Sequence, residues 1–164
     1  MAPIISFCVF CGEKLKTKKM ANTAQQICSS CNRIAYSDPK LVAGILLIED
    51  NKVLLVQRDI EPGRGKWAIP CGYVNWGEEI EKAAIRELYE ETGIEASTGT
   101  LIGLYSKTDD PIALAIYVGI RRGGFLQAKE ETQSVNFWPL NGLPDLAFTR
   151  DLQIIKDWFS QSNQ

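Results

Sequence analysis

Three glutamates within five residues are the first feature of this sequence that suggests chemistry. Glu87, Glu90 and Glu91 are spaced i, i+3 and i+4, which on a helix places their carboxylates within about 100° of arc. Like charges at these spacings destabilise a bare helix by a few tenths of a kcal/mol per pair. Clustered hard oxygen ligands suit Mg²⁺ or Mn²⁺. The cluster therefore points to a divalent-cation site, with an ordinary acidic surface as the alternative.

Four cysteines near the N-terminus form a second cluster. They follow the pattern C-x2-C-x16-C-x2-C, which is typical of a four-cysteine zinc site. Four thiolates leave tetrahedral Zn²⁺ without an open position, so we expect a structural ion rather than a catalytic one. Disulfides and free thiols are the alternatives, and a cytosolic context disfavours disulfides. The predicted ligands are Cys8, Cys11, Cys28 and Cys31.

The composition excludes several classes of protein. The 164 residues contain no histidine, which removes Ser-His-Asp and Cys-His nucleophiles and imidazole acid–base catalysis. The net charge of −2 argues against bulk binding to nucleic acid or anionic membranes. No apolar run reaches the roughly 18 residues of a membrane span, and the N-terminus lacks the basic region of a signal peptide. We expect an intact cytoplasmic chain.

Charge divides the chain into two predicted domains. Residues 1–40 contain six basic and two acidic residues, a net +4, which leaves −6 for the remainder. About forty residues bury too little core to be stable alone, so a metal would contribute much of their stability. We predict a zinc ribbon over 1–40 and a larger domain over 41–164. The basic segment at residues 17–26 is predicted to be a solvated loop, with contact to RNA as an alternative.

The larger domain has the pattern of strands covered by two helices. Two apolar runs separated by an Asp50-Asn51 turn predict a β-hairpin, and Gly93 is a natural helix terminator. Helices covering a mixed sheet indicate an α/β sandwich. We predict strands at residues 41–49, 52–58, 66–70, 100–106, 112–120 and 134–140, and helices at Glu79–Thr92 and, capped by Thr149, at 149–159.

The segment around the glutamates resembles the Nudix box. This string reads G-x5-E-x7-R-E-U-x-E-E-x-G-U, where U is a bulky apolar residue. Here it is filled by Gly72, Glu78, Arg86, Glu87, Leu88, Glu90, Glu91, Gly93 and Ile94. Nine specified positions make a chance match improbable. The resemblance covers about residues 41–160 and implies a Nudix-type α/β/α sandwich that hydrolyses a diphosphate linking a nucleoside to another moiety.

The resemblance also implies roles for individual residues. Glu87, Glu90 and Glu91, hereafter the box glutamates, would hold Mg²⁺ or Mn²⁺, one of them serving as base for the attacking water. Arg86 would orient the glutamates, Glu78 would brace the preceding loop, and Gly72 would allow the tight entry to the helix. A further acid often follows the box in this family; Glu130 and Glu131 are the candidates, of which we favour Glu131.

The substrate prediction depends on a narrower resemblance. A zinc ribbon before a Nudix domain occurs in NAD(H) pyrophosphatases, but their S-Q-P-W-type array is missing from LYSKTDDPIALAIYVGIRRGG. The segments IAYSDPKLVAG and LAFTRD are similar to a group of FAD and ADP-ribose pyrophosphatases, so we predict FAD or ADP-ribose as substrate. Arg58 is a candidate phosphate contact. Candidate stacking residues, each with a core position as the alternative, are Trp67, Tyr73, Trp76, Tyr105 and Phe148.

Other functions and partners stay open at this point. NADH or capped RNA are the alternative substrates, the latter through the basic ribbon. A protein of a different class, a nucleotide-sensing module that binds RNA or protein, would also carry such a ribbon, although intact box glutamates favour an enzyme. A small-molecule nucleotide is the expected partner, no membrane is expected, and a homodimer is a further option.

Overall fold

The computed structural model describes residues 5–20 and 23–162. The chain forms two compact units. The first unit is Met1–Lys40 with Lys107–Pro111, and the second unit is Leu41–Ser106 with Ile112–Gln164. The Lys40 N–H donates to the Pro111 carbonyl (2.7 Å), which ties the inserted segment to the first unit. The division falls at the boundary expected from charge, apart from that segment, and the independence of the two units as domains stays a prediction.

The first unit is a small antiparallel sheet. Strands β1 (Leu15–Met20), β2 (Thr23–Cys28) and β3 (Ile34–Ala35) lie in the order β1-β2-β3. The predicted loop over residues 17–26 is therefore wrong for 17–20 and 23–26, which pair as strands. These strands lack the apolar alternation that predicts a sheet, because so small a unit buries few side chains.

The second unit contains two sheets and two helices. One sheet has the order β8-β4-β10-β9; the other has the order β11-β6-β5, with β7 also paired to β6. The elements are β4 (Lys40–Leu46), β5 (Ile48–Glu49), β6 (Lys52–Arg58), β7 (Trp67–Ala68), β8 (Cys71–Tyr73), α1 (Ile80–Thr92), β9 (Ile94–Ser106), β10 (Ile112–Gly124), β11 (Thr132–Pro139) and α2 (Thr149–Ser162).

Alternating side chains on the central strands build two cores. Successive residues of β4, β6 and β10 point to opposite faces, as strand geometry requires. One face packs on α2 and the other on α1, so the sheets lie between the helices and the predicted α/β/α sandwich with mixed pairing is confirmed. The α2 core contains Leu46, Val53, Leu55, Leu114, Ile116, Ile154 and Ile155. The α1 core contains Ala43, Ile45, Leu47, Leu54, Ala83, Ala84, Leu88 and Ala115.

Both helices begin where the sequence predicts, within one residue. Helix α1 ends at Gly93, whose φ of 72° is left-handed and whose N–H donates to the Tyr89 carbonyl (2.9 Å), as a terminating glycine should. Strand β9 starts at Ile94, six residues before its predicted start, because Ile94 pairs with Gly124 at the far end of β10. Residues 95–100 lack apolar alternation, so periodicity alone could not reveal this pairing.

Candidate active site and candidate metal centre

Gly72 lies directly against the carboxylate of Glu87. Strand β8 passes so close to α1 that a Cβ built at Gly72 would overlap Cδ and both oxygens of Glu87. Glycine is thus the residue that lets the strand run beside this glutamate. The two residues, fifteen positions apart in the sequence, are brought together as the motif predicts.

Arg86 joins three glutamates and a carbonyl. Its Nε and one terminal nitrogen donate to both oxygens of Glu78 (2.8 and 2.9 Å). The other terminal nitrogen donates to Glu87 Oε1 (2.7 Å) and Glu90 Oε2 (2.9 Å). The Tyr73 carbonyl also accepts from Arg86 (3.0 Å). Arg86 therefore holds Glu87, Glu90 and the loop before α1 in one network.

Glu78 is fixed from two sides. Besides Arg86, the Asn75 N–H donates to its Oε2 (2.9 Å). Arg86 and then the Asn75 amide lower the pKa of Glu78 to about 2, so this carboxylate is ionised throughout the neutral range. A permanently charged Glu78 anchors Arg86, which matches the bracing position expected from the motif.

Glu91 is the most deeply placed of the box glutamates. The Cys71 N–H donates to its Oε2 (3.1 Å). Burial, with the charge of Glu87 adding to it, raises the pKa of Glu91 to about 8. Burial also raises the pKa of Glu87, against the opposing effect of Arg86. A nearby cation would favour the charged form of both carboxylates, so this pair is a chemically reasonable ligand set for a divalent ion.

The charge of Glu131, on a loop distant in sequence, acts on two of the box glutamates. Its negative charge contributes to the raised pKa of both Glu87 and Glu91. The Glu131 backbone is left-handed, with φ of 59°, and its carbonyl accepts the Asp59 N–H (2.9 Å). The roles of Glu131, the favoured member of the predicted pair, and of Glu130 stay predictions.

Three of the candidate substrate residues contact other side chains. Arg58 lies 5.1 Å from the ring centroid of Phe148, and its charge acts on Glu91. Trp67 instead packs edge-to-face on Trp138 at 5.1 Å, on the rim of the α2 core. Tyr105 Oη donates to Asp157 (2.8 Å).

Two aromatic residues of the loop between β8 and α1 are open to solvent. Tyr73 is exposed, and the Trp76 side chain is fully exposed. Neither ring has an aromatic or cationic neighbour among the described residues. Their predicted role in stacking on substrate stays a prediction.

Sequence reasoning missed two neighbours of this site, Arg150 and Asp151. Arg150 lies 4.5 Å from the ring centroid of Phe148, so it shares that ring with Arg58. The buried Asp151 accepts the Ile69 N–H through Oδ2 (3.2 Å), and burial raises its pKa to about 7. The only sequence signal for these two residues was the segment LAFTRD. It supported the resemblance to FAD and ADP-ribose pyrophosphatases but did not indicate what its arginine and aspartate contact.

The fifth cysteine, Cys71, is separate from the other four. Burial, followed by the charges of Glu91 and Asp151, raises the pKa of its thiol well above the ordinary value. Its backbone amide, rather than its sulfur, contacts the box glutamates. Cys71 therefore acts in this site through its main chain.

The four N-terminal cysteines converge as a ligand set. Their sulfurs all lie within 4.8 Å of one another, and none forms a disulfide. Separations of 3.4 Å (Cys11–Cys28), 3.6 Å (Cys8–Cys31) and 3.8 Å (Cys11–Cys31) approach the roughly 3.8 Å edge of a tetrahedron with Zn–S bonds of about 2.3 Å. The arrangement fits a four-thiolate ion.

The two cysteine turns share one backbone design. The Gly12 N–H donates to the Cys8 carbonyl (2.9 Å), and the Asn32 N–H donates to the Cys28 carbonyl (3.0 Å). Gly12 and Asn32 have left-handed φ angles of 72° and 57°. The Cys31 N–H reaches Cys28 Sγ (3.4 Å) and lowers the pKa of Cys28 to about 7. Each turn thus presents two sulfurs, one of them stabilised as thiolate.

Comparisons with known proteins agree with this geometry. A family model described as the NUDIX domain matches residues 38–159. An ADP-ribose pyrophosphatase from Methanocaldococcus jannaschii is 36% identical over 132 residues, 78% of each chain. An NAD-capped RNA hydrolase, NudC, from Vibrio atlanticus is 26% identical over 150 residues, which span 90% of this chain and 54% of that protein.

A solved structure is similar over nearly the whole chain. A NUDIX hydrolase from Nitrosomonas europaea superposes with a TM-score of 0.87 at 26% identity, covering 96% of this chain and 92% of that one. Among the described residues, no helix has the length and apolar character to cross a membrane.

Proposed function

This chain belongs to the Nudix hydrolase family, and on that premise we propose that it cleaves the diphosphate of ADP-ribose or FAD into two monophosphates. Support for the substrate comes from the relative named as an ADP-ribose pyrophosphatase, which is similar over 78% of both chains. FAD shares the same ADP moiety and diphosphate, so one site would accept either.

One observation carries the proposed chemistry: the part-buried carboxylates of Glu91 and Glu87 lie on one side of α1, and no cation of the protein forms a salt bridge with Glu91 among the described residues. Burying two carboxylates together is costly unless an opposite charge compensates them. Arg86 neutralises Glu78, Glu87 and Glu90 but does not contact Glu91. The uncompensated charge supports a divalent cation as the missing partner.

We assign the box glutamates, with Glu131, as the residues that would hold Mg²⁺ or Mn²⁺. Their oxygens are the ligands these ions prefer. Such an ion would offset the charge of the diphosphate and lower the pKa of a bound water, which supplies a nucleophile to a chain without histidine. In the described part of the chain these carboxylates do not converge as the cysteines do, since Arg86 bridges Glu87 and Glu90.

Each residue of the site has a separate role in the proposed reaction. Glu91 is our choice for the base: Cys71 N–H holds its Oε2, and Oε1 accepts the proton of the attacking water. The water oxygen bonds to one phosphorus, the bridging P–O bond breaks, and the other phosphate leaves. Arg86 keeps Glu87 and Glu90 in place, Glu78 anchors Arg86, and Gly72 gives Glu87 its space. A divalent cation would favour the ionised form of Glu91, which is the form that can accept this proton near neutral pH.

For the cysteine set we propose structural Zn²⁺. The support is the near-tetrahedral spacing of four sulfurs with no open position. In this role the ion stabilises the first unit and takes no part in hydrolysis.

Capped RNA is the second candidate substrate. Its support is the similarity to the NAD-capped RNA hydrolase, which extends over 90% of this chain, together with the basic character of residues 1–40. NADH remains the third, and a sensing module without catalysis is not supported, because the family and the intact box indicate a hydrolase. Cytoplasmic location and a homodimer stay predictions.

A hydrolysis panel tests the proposal. Purified chain is incubated with Mg²⁺ or Mn²⁺ and ADP-ribose, FAD, NADH, dinucleoside polyphosphates or capped RNA, and the products are identified. We expect kcat/KM for ADP-ribose or FAD to exceed that for NADH and capped RNA. A preference of tenfold or more for either of the latter, about 1.4 kcal/mol of transition-state discrimination, would show that the substrate assignment is wrong.

A further inference from the structure

Two guanidinium groups share one phenyl ring beside the box glutamates. Arg58 ends β6, and its Cζ lies 5.1 Å from the ring centroid of Phe148. Arg150 lies in the first turn of α2, and its Cζ is 4.5 Å from the same centroid. Contact with the ring limits the motion of both cations. We call Arg58 and Arg150 the guanidinium pair.

The guanidinium pair is held in place without a salt bridge among the described residues. Arg58 Nε donates to the Pro62 carbonyl (2.8 Å), and the buried Nε of Arg150 has no hydrogen-bond partner in the described chain. Three other arginines of the second unit, Arg64, Arg86 and Arg121, form ion pairs with carboxylates. Neither member of the pair does so among residues 5–20 and 23–162. Two part-buried cations that form no salt bridge leave room for an anion from outside.

The main chain links the pair to the reaction site. Asp151, next to Arg150, accepts the Ile69 N–H through Oδ2 (3.2 Å). Two residues further on, the Cys71 N–H donates to Glu91 (3.1 Å). The start of α2 and the C-terminal half of α1 thus accept hydrogen bonds from the same short segment, residues 69–71. The charges of both arginines also act on the Cys71 thiol.

An alternative explanation for the position of the guanidinium pair is that it compensates the negative charge of Asp151 and Glu91. Guanidinium groups that serve buried carboxylates form direct, often bidentate, hydrogen bonds with them. Asp151 instead receives a main-chain amide on Oδ2, and Glu91 receives another on Oε2. The pair faces the ring, so charge compensation does not account for its position.

We propose that Arg58 and Arg150, which both pack against the Phe148 ring, bind the oxygens of the substrate's diphosphate. We call this arrangement the clamp. This inference rests on the proposed function and deepens it. The planar guanidinium matches phosphate oxygens in a two-point geometry that a lysine does not reproduce. Together with a divalent ion held by the carboxylates, the clamp would hold the diphosphate from two sides and orient it for attack.

The test measures binding rather than turnover. The probe is α,β-methylene-ADP, a diphosphate analogue whose bridging carbon cannot be hydrolysed, titrated calorimetrically with and without Mg²⁺. Arg58→Gln and Arg150→Gln keep side-chain length and remove the charge. We expect each to weaken binding about tenfold or more, as for loss of a charged hydrogen bond. Arg150→Lys should recover only part of the affinity, because it restores charge without the planar fork.

Lys156→Gln is the matched control, since it removes an exposed cation from the same helix. We expect wild-type affinity for it, and thermal unfolding shows whether each variant is folded. Unchanged affinity in both folded arginine variants, an equal loss in Lys156→Gln, or no binding by the wild type would overturn the clamp. Tight binding by the wild type without hydrolysis of any substrate in the panel would refute the proposed function and leave the clamp standing.

Discussion

The carboxylate of Glu87 occupies the space that a side chain at position 72 would need. A methyl group there would overlap that carboxylate, so Gly72→Ala must displace it and with it the Arg86 contact. Misplacement of a reacting group by about 1 Å costs on the order of 100-fold in rate. We expect Gly72→Ala to lower kcat/KM by about that factor while the protein stays folded.

A second glycine provides the comparison for that measurement. Gly142 lies in the turn after β11, and a Cβ there would meet Pro139 Cγ at an ordinary 3.4 Å. Gly142→Ala should therefore keep wild-type kcat/KM and melting temperature. Equal activity in the two variants would mean that the Gly72–Glu87 approach has no part in catalysis.

Individual site residues were predictable where their spacing is local. The box glutamates, Arg86 and Gly72 lie within one strand-loop-helix segment, so the motif alone places them together. Arg150 and Asp151 are brought to the site by a strand and a helix far apart in the sequence. No periodicity marks such long-range neighbours, and for that reason they were missed.

At the scale of elements, we expect the fold around the cysteine turns to depend on a bound metal. Cys11→Ser removes one of four ligands, so we expect zinc content to fall from about one ion per chain to well below one. Metal analysis of the purified full chain measures this directly. The first unit should lose protection from proteolysis, while the second unit keeps most of its activity because its core contains none of these sulfurs.

Ser30→Ala, in the exposed middle of the second cysteine turn, leaves all four sulfurs in place and should retain the ion. Wild-type chain purified without zinc, or with the cysteines joined as disulfides, would contradict the assignment. The turns were predictable from sequence because each spans four residues. The strands between them were not, since their side chains are largely exposed and show no apolar alternation.

Through Asp151, helix α2 makes a pH-dependent contribution to the free energy of unfolding. Burial raises its pKa to about 7 from an ordinary 3.8, against the opposing charges of Arg150 and Arg58. Between these values the folded state holds the proton that the unfolded chain has released, so the free energy of unfolding falls as pH rises and then levels off. At about 1.4 kcal/mol per pKa unit the term is on the order of 4 kcal/mol.

Asp151→Asn should remove that slope, because an amide keeps an oxygen for the Ile69 N–H and carries no charge to bury. Denaturant unfolding of wild type and variant at several pH values from 4 to 8 gives the comparison. We expect the variant to gain stability relative to wild type as pH rises. Parallel curves would show that Asp151 does not bury a charge in the folded protein.

At the scale of the whole molecule, the two compact units offer two different sets of candidate metal ligands. Soft thiolates in the first suit a closed zinc site, and hard carboxylates in the second suit Mg²⁺ or Mn²⁺. This division was predictable from charge and motif, because ligand type depends on residue identity alone. Substrate choice was not, since the proposed clamp is made of side chains, Arg58, Phe148 and Arg150, that meet only in the folded chain.

The central claim is that the part-buried Glu91 serves metal-dependent cleavage of a diphosphate, and product analysis with ADP-ribose tests it most directly. Wild type with Mg²⁺ should release AMP and ribose 5-phosphate in equal amounts, and EDTA should abolish the reaction. Glu91→Gln should lower kcat by roughly 10²–10⁴-fold, the usual contribution of a general base, whereas Glu79→Gln, at the exposed start of α1, should not. Turnover that survives EDTA, release of inorganic phosphate, or full activity in Glu91→Gln would contradict the account.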